Sequence, residues 1–226
     1  MYSRHDNQER FLKKSLTQSD LISAAREFCT TDHTYTELFG VTDGKAVGTF
    51  IEHKFEERLV SDYEVLIGSS VSGLDLPSLE TDIKVTSTRQ PQSSCPFQSA
   101  RQKVYGLGYN LLLFVYEKQD IQEGRSAHLN FRSCALIQKS RTADYQTTRG
   151  ILEILGRDGN RDDILAFLYD RNLPGDEIVY NNLADEIMQS PPTLGYLTIS
   201  NALQWRLQYS RIVYLTELVP GIVKIV

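Results

Sequence analysis

A run of six apolar residues, LLLFVY at 111–116, constrains the fold of this chain more than any other feature. The run is far too short to cross a bilayer, which needs about 20 residues in a helix. A short apolar run next to turn residues is typical of a buried strand. A turn at Glu123-Gly124-Arg125 and a second strand-like segment, LNFRSCALIQ, follow it. The sequence therefore predicts a buried pair of strands inside a sheet.

Two amphipathic helices are predicted before this pair. Apolar side chains recur at helical spacing over residues 21–28, with Ser19-Asp20 as a candidate cap. They recur again over residues 46–60, which follow the turn Thr42-Asp43-Gly44. Glu52 and Glu56 are four residues apart in the second helix, and therefore share a face.

Two further strands are predicted between the second helix and the apolar run. YEVLIGSS (63–70) is the first, and the end of LDLPSLETDIKVTS (74–87) is the second. In the second strand Ile83 points to one face while Asp82 and Lys84 point to the other, since side chains alternate with period two. A helix is then predicted from about residues 94–98 to residue 110.

From Thr142 onward the pattern changes to helices, in the segments YQTTRGILEIL, RDDILAFLYDRN and DEIVYNNLADEIM. Another helix is predicted at about 201–211, followed by a last strand, GIVKIV. The expected fold is mixed α/β, with a mixed central sheet flanked by helices. We expect a core over residues 1–141 and a mostly helical extension over residues 142–226.

Cysteine usage and the N-terminus carry no sign of secretion or of a zinc site. The three cysteines, Cys29, Cys95 and Cys134, lie far apart and lack the spacing of zinc ligands. The polar start MYSRHDNQERFLKK has no apolar signal-peptide core. A cytoplasmic protein with free thiols is the expectation.

The charge balance argues two ways about nucleic acid. With 24 basic and 29 acidic side chains the net charge is -5, which is unusual for a general nucleic-acid binder. Residues 83–143, however, hold nine basic and three acidic side chains, a net +6, so the remaining chain carries -11. A phosphate backbone would meet a favourable potential along that segment.

The segment from Asp75 to Lys84 carries the chemistry. Two carboxylates from adjacent strands, Asp75 and Asp82, can hold a hard divalent cation such as Mg²⁺, which prefers oxygen ligands. Lys84 shares a strand face with Asp82 and can offset the charge that develops on a phosphate. Glu52, on the preceding amphipathic helix, can add another carboxylate.

These residues, in this order, resemble the PD-(D/E)xK nucleases, and among them the type II restriction endonucleases. The resemblance covers about residues 45–118 and ends with a helix around FQSARQKVYGLGYNLLLFVY. Leu74 stands before the first acid where the family has proline, and only six residues separate Asp75 from Asp82. Asp62 is an alternative first acid, and Glu80 competes with Asp82 as the second.

The resemblance implies that Asp75 and Asp82 bind the metal, that Lys84 is the catalytic lysine and that Glu52 assists, with Glu56 as the less favoured alternative. It also implies Mg²⁺-dependent hydrolysis of double-stranded DNA at a specific sequence, by a homodimer on a palindromic site. The residues assigned to DNA contacts are Arg89, Gln98, Arg101, Lys103, Gln204 and Arg206. Gln92, Gln102 and Gln208 are further polar candidates, the last in a C-terminal recognition helix with Gln204 and Arg206.

Two other functions remain open at this stage. One is a structure-selective repair or mobile-element nuclease of the same fold. The other is a non-catalytic DNA-binding regulator that reads DNA through its C-terminal helices.

Overall fold

The computed structural model describes residues 13–68, 73–95, 99–200 and 205–226. The helices within these residues are α1 (Gln18–Thr30), α2 (Gly44–Asp62), α3 (Arg101–Tyr105), α4 (Tyr145–Leu155), α5 (Arg161–Asp170), α6 (Glu177–Gln189) and α7 (Ser210–Val213). The strands are β1 (Thr34–Tyr35), β2 (Thr81–Ser87), β3 (Gln92–Cys95), β4 (Asn110–Ile121), β5 (Ser126–Ile137), β6 (Thr198–Ile199), β7 (Trp205–Gln208) and β8 (Ile222–Lys224). None of the described helices is both long enough and apolar enough to cross a membrane.

A mixed five-stranded sheet forms the centre of the molecule. Its order is β1-β5-β4-β2, and β8 pairs with β5. Strands β4 and β5 form an antiparallel hairpin, whereas β2 runs parallel to β4 with Asp82 opposite Leu111. A second sheet has the order β3-β7-β6. The prediction of a mixed central sheet flanked by helices is confirmed.

The apolar run at 111–116 lies in strand β4, and each face of this strand packs into a different hydrophobic core. Leu112, Phe114 and Tyr116 pack on the side of α1 and α2. The alternate residues, including Leu111 and Leu113, pack with Trp205 and Leu207 of the second sheet. A third apolar cluster joins α3 to helices α4, α5 and α6. With both faces covered, every position from 111 to 116 must be apolar.

Three predicted elements are wrong. Residues 63–68 form no strand beyond a bridge between Ser15 and Glu64, and residues 69–70 lie outside the described part of the chain. The helix predicted over 94–110 is limited to the five residues of α3. It ends at Gly106, whose φ of 89° is incompatible with a right-handed helix.

The helix predicted at about 201–211 is also wrong. Residues 205–208 form strand β7, and α7 follows it with only four residues. Trp205 and Leu207 are buried while Arg206 and Gln208 are exposed, and this alternation is the period of a strand. Residues 201–204 lie outside the described part of the chain.

Candidate active site

A tight loop brings Asp75 opposite Asp82. Residues Pro77–Leu79 form one 3-10 turn, and Glu80 follows in the left-handed conformation at φ 46°. Leu76 and Thr81 close the loop with two backbone hydrogen bonds. In such an antiparallel bridge the flanking residues, Asp75 and Asp82, face each other. Six intervening residues therefore suffice to bring the two acids together.

Strand β2 presents Asp82 and Lys84 on one face. The Lys84 ammonium group donates to Oδ2 of Asp82 at 2.6 Å, and Asp82 is 7% exposed. Asp75 is fixed from the opposite side, because the backbone N–H of Ile83 donates to its Oδ2 at 2.6 Å. Burial lowers the pKa of Lys84, but Asp82 and the other nearby carboxylates outweigh this and raise it, so the side chain is a cation.

Helix α2 places two glutamates above the same strand. It begins at the cap residue Asp43, whose carboxylate accepts from the backbone N–H of Lys45. Its first turns lie close to β2: a Cβ on Gly48 would be 3.0 Å from the carbonyl oxygen of Val85. Glycine thus permits the approach that brings Glu52, one turn further along, to the site.

Glu52, Glu56 and Asp75 form a cluster of half-buried carboxylates. Each offers an oxygen, and the three oxygens lie within 4.8 Å of one another. Asp82 adjoins this cluster, because the carboxyl group of Asp75 is close enough to raise its pKa. The donor set consists of carboxylate oxygens, which suits a hard divalent cation such as Mg²⁺, Mn²⁺ or Ca²⁺. The residues therefore fit a divalent metal ion.

The electrostatics of the cluster agree with that fit. Burial, followed by the charge of Asp75, raises the pKa of Glu52 to about 7. Burial also raises the pKa of Asp82 to about 7, with the contact to Asp75 adding to the rise and Lys84 opposing it. The pKa of Glu56 is raised by burial and by Asp75. Lys84 alone does not balance these carboxylates, so the site favours an added cation.

The alternative acids lie elsewhere. Asp62, at the end of α2, accepts from Arg58 at 2.6 Å. Glu80 is exposed and pairs with Lys139 at 2.8 Å. Glu56, the less favoured helix acid, instead lies in the cluster with Glu52. Sequence spacing gives both glutamates the same helix face, and only the packing of α2 on β2 shows that both reach Asp75.

A groove of about 780 Å³ adjoins the carboxylates. Its walls are the first turns of α2 and the β3–β7 pair, and β2 forms its floor. The basic residues that line it are Lys45, Lys84, Arg89 and Arg206, against the acidic residues Asp43 and Glu52. Two of the predicted DNA contacts, Arg89 and Arg206, thus lie beside the candidate site. Lys45 was missed, since nothing in the sequence relates the start of α2 to β3.

The other predicted DNA contacts are not gathered at this groove. Arg101 is in an ion pair with Glu186 of α6. Lys103 is only 1% exposed and donates to the carbonyl oxygen of Ile199 at 2.8 Å, so the structure places it in the interior instead of on a DNA-facing surface. Gln102 is buried as well. Gln98 and Gln204 lie outside the described residues.

Comparison with known proteins shows the family to which the chain belongs. The family model "Type II restriction enzyme NspV" matches residues 15–224. The chain is 56% identical over 197 residues to the type II restriction enzyme NspV of Nostoc sp. (strain ATCC 29411 / PCC 7524), which covers 87% of this chain and 88% of that protein. No solved structure matches significantly. The chain belongs to the NspV family of type II restriction enzymes.

Proposed function

We propose that this restriction endonuclease hydrolyses double-stranded DNA with Mg²⁺ held by Asp75, Asp82, Glu52 and Glu56. The observation that carries the proposal is the meeting of the α2 glutamates with Asp75, beside the Asp82–Lys84 pair on β2. A divalent ion bound there would supply Lewis-acid polarisation of the scissile phosphate.

The chain's own residues have separate tasks in this proposal. Lys84 keeps a positive charge directed at the phosphate and offsets the negative charge that develops on it. Asp82 orients that ammonium group through the 2.6 Å contact. The Ile83 N–H holds the carboxylate of Asp75, so that acid does not have to be ordered when DNA arrives. Arg89 and Arg206 attract the DNA into the groove.

We also propose a homodimeric assembly and a cytoplasmic place of action. A palindromic site requires two identical active sites related by a two-fold axis, so we propose a homodimer in which each subunit cuts one strand. Its place of action would be the cytoplasm, where it meets DNA. Residues 142–226 would support recognition or dimerisation.

The first test is digestion of plasmid DNA with and without Mg²⁺. We expect fixed fragments with wild-type protein, and a rate lower by roughly 10²–10³ for Lys84→Ala and Asp82→Asn, the size seen when one group stabilising a developing charge is removed. Both variants should still bind DNA in a gel-shift assay.

Asp62→Asn is the matched control. Asp62 belongs to α2, the helix that carries Glu52 and Glu56, but it lies outside the carboxylate cluster and pairs with Arg58. Asp62→Asn should cleave at the wild-type rate. Full cleavage by Lys84→Ala, or loss of cleavage by Asp62→Asn but not by Asp75→Asn, would refute the assignment of the site. A smear instead of fixed fragments would refute sequence-specific cleavage.

A further inference from the structure

The β3–β7 ribbon, formed by Gln92–Cys95 and Trp205–Gln208, has one polar and one apolar face. Residues that pair directly in an antiparallel ladder point to the same side. The register places Gln92 with Gln208 and Ser94 with Arg206 on one face, and Ser93 with Leu207 and Cys95 with Trp205 on the other. The second face is fixed, because Cys95, Trp205 and Leu207 pack with Leu111 and Leu113 of β4. The first face must therefore point away from the core.

That polar face overlooks the candidate active site. Gln92, Ser94 and Arg206 line the groove that also contains Lys84 and Glu52. Arg206 and Gln208 are exposed. Among the residues that the structure describes, none forms an ion pair with Arg206. Its guanidinium group is thus available to a ligand in the groove.

Hydrogen bonds hold the start of the ribbon against β2, the strand that carries Asp82 and Lys84. Thr86 lies two residues after Lys84 on the same face of β2, and is buried. Its hydroxyl group is within 3.1 Å of the carbonyl oxygens of both Gln90 and Gln92, and accepts from the N–H of Gln92 at 3.2 Å. The start of β3 is thereby fixed about 7 Å along the strand from Lys84, at about 3.3 Å per residue.

We propose that the polar face of the β3–β7 ribbon reads the bases of the cleavage site, with Arg206, Gln92 and Gln208 as the specificity-determining residues. The inference rests on the proposed function. A two-stranded ribbon fits the major groove of B-DNA. There an arginine donates two hydrogen bonds to O6 and N7 of guanine, and a glutamine pairs with N6 and N7 of adenine. The ribbon presents these side-chain types next to the strand that carries Lys84.

Lys45 and Arg89 have a different task in the same groove. Both are exposed, and within the described part of the chain neither is in an ion pair. They lie at the start of α2 and just after β2, outside the two strands of the ribbon. Flexible cations in such positions bind phosphates, which adds affinity without sequence preference.

The experiment separates base recognition by the ribbon from nonspecific attraction of the DNA phosphates. The probes are a duplex with the site mapped from plasmid fragments, its single-base-pair substitutions and a scrambled duplex of equal composition. The variants are Arg206→Lys, Gln208→Ala and Gln92→Ala on the ribbon, with Lys45→Ala in the groove and Arg157→Ala on a distant exposed turn. Cleavage-rate ratios measure discrimination, and the salt dependence of binding to the scrambled duplex without divalent metal measures phosphate contacts.

We expect each ribbon variant to lose roughly 5- to 150-fold in discrimination at one or two base pairs, the value of one bidentate base contact. Arg206→Lys keeps the charge, so its affinity for the scrambled duplex should hold. Lys45→Ala should weaken binding to all duplexes alike and reduce the salt slope by about 1, with discrimination intact. Arg157→Ala should match the wild type.

Two results would overturn the inference. The first is that Arg206→Lys, Gln208→Ala and Gln92→Ala all discriminate between duplexes as well as the wild type does. The second is that these variants lose cleavage rate equally on every duplex. Either result would mean that the ribbon does not read bases. The proposed function would stand in that case, because the wild type still cuts at a fixed site. If the wild-type protein yields no fixed fragments, the proposed function fails and takes the inference with it.

Discussion

Glu52 has a pKa near 7 because burial and Asp75 both oppose its charge. In the unfolded chain an ordinary glutamate loses its proton near pH 4.3. Between that pH and about 7, the folded state binds a proton that the unfolded state has released, so stability falls as pH rises through this window. The metal-free protein should therefore be less stable at pH 8 than at pH 5 through this group.

Glu52→Gln should remove that part of the pH dependence. We expect the variant to exceed the wild type in thermal stability at pH 8 in EDTA, and the difference to shrink toward pH 5. Glu57→Gln is the matched control, because Glu57 lies on the exposed side of α2 and pairs with Lys54. Parallel pH profiles of wild type and Glu52→Gln would contradict the assignment.

Glu56 can be tested as a metal ligand in its own right. Because its carboxylate lies within 4.8 Å of those of Glu52 and Asp75, Glu56→Gln should raise the Mg²⁺ concentration needed for half-maximal cleavage by at least roughly tenfold. The maximal rate at saturating Mg²⁺ should change less. A titration curve that coincides with the wild type and with Glu57→Gln would exclude Glu56 from the metal site.

Among the secondary-structure elements, α4 is linked to β6 by one buried acid, Asp144. Asp144 is 1% exposed and caps α4. Its Oδ2 accepts from both the N–H and the hydroxyl group of Thr147, and its Oδ1 accepts from the N–H of Ile199 in β6 at 2.8 Å. The cap thus also links the helical part of the chain to the second sheet.

Asp144→Ala should lower the free energy of unfolding by about 2–4 kcal/mol, because it removes a cap and leaves the buried Ile199 N–H without its acceptor. Asp176→Ala is the control: Asp176 is the exposed cap of α6, and its loss should cost about 1 kcal/mol. Urea denaturation measures both. Equal costs would show that the link to β6 contributes nothing.

The elements that the sequence predicted well are those with a strong, continuous pattern. The segments given for α4, α5 and α6 match the observed helices closely, and β4 and β5 lie where the apolar run and the following segment placed them. The sequence predicts a helix across residues 205–208, because the four-residue strand there is too short to show its alternation among neighbouring polar residues. These residues form a strand instead, because Trp205 and Leu207 are buried against β4.

At the scale of the whole molecule, the positive segment of the sequence is largely neutralised. Five of its nine basic residues are in ion pairs with other residues that the structure describes, namely Lys84, Arg101, Lys118, Arg132 and Lys139. Three of the acidic partners, Asp82, Glu186 and Glu80, come from outside residues 83–143. Among the described residues, three basic side chains that line the groove are outside these ion pairs, namely Lys45, Arg89 and Arg206, and Lys45 and Arg206 come from outside that segment.

The proposed homodimer makes a prediction about assembly. Sedimentation should give the mass of two chains per duplex carrying the mapped site, because each palindromic half-site needs one ribbon and one set of carboxylates. Both strands should then be cut in one binding event, so nicked plasmid should not accumulate at excess enzyme. One chain per duplex, with nicked circles as the main product, would contradict the dimer.

The sequence by itself determined the mixed fold, the helix carrying Glu52 and Glu56, and the alternation that puts Asp82 beside Lys84. These follow from local spacing, which fixes the face on which a side chain lies. Tertiary structure alone decided that Glu56 joins Asp75, that Lys103 is buried and that Arg206 belongs to a strand beside the site. Each depends on which distant surfaces pack together, and a single sequence carries no local periodicity for that.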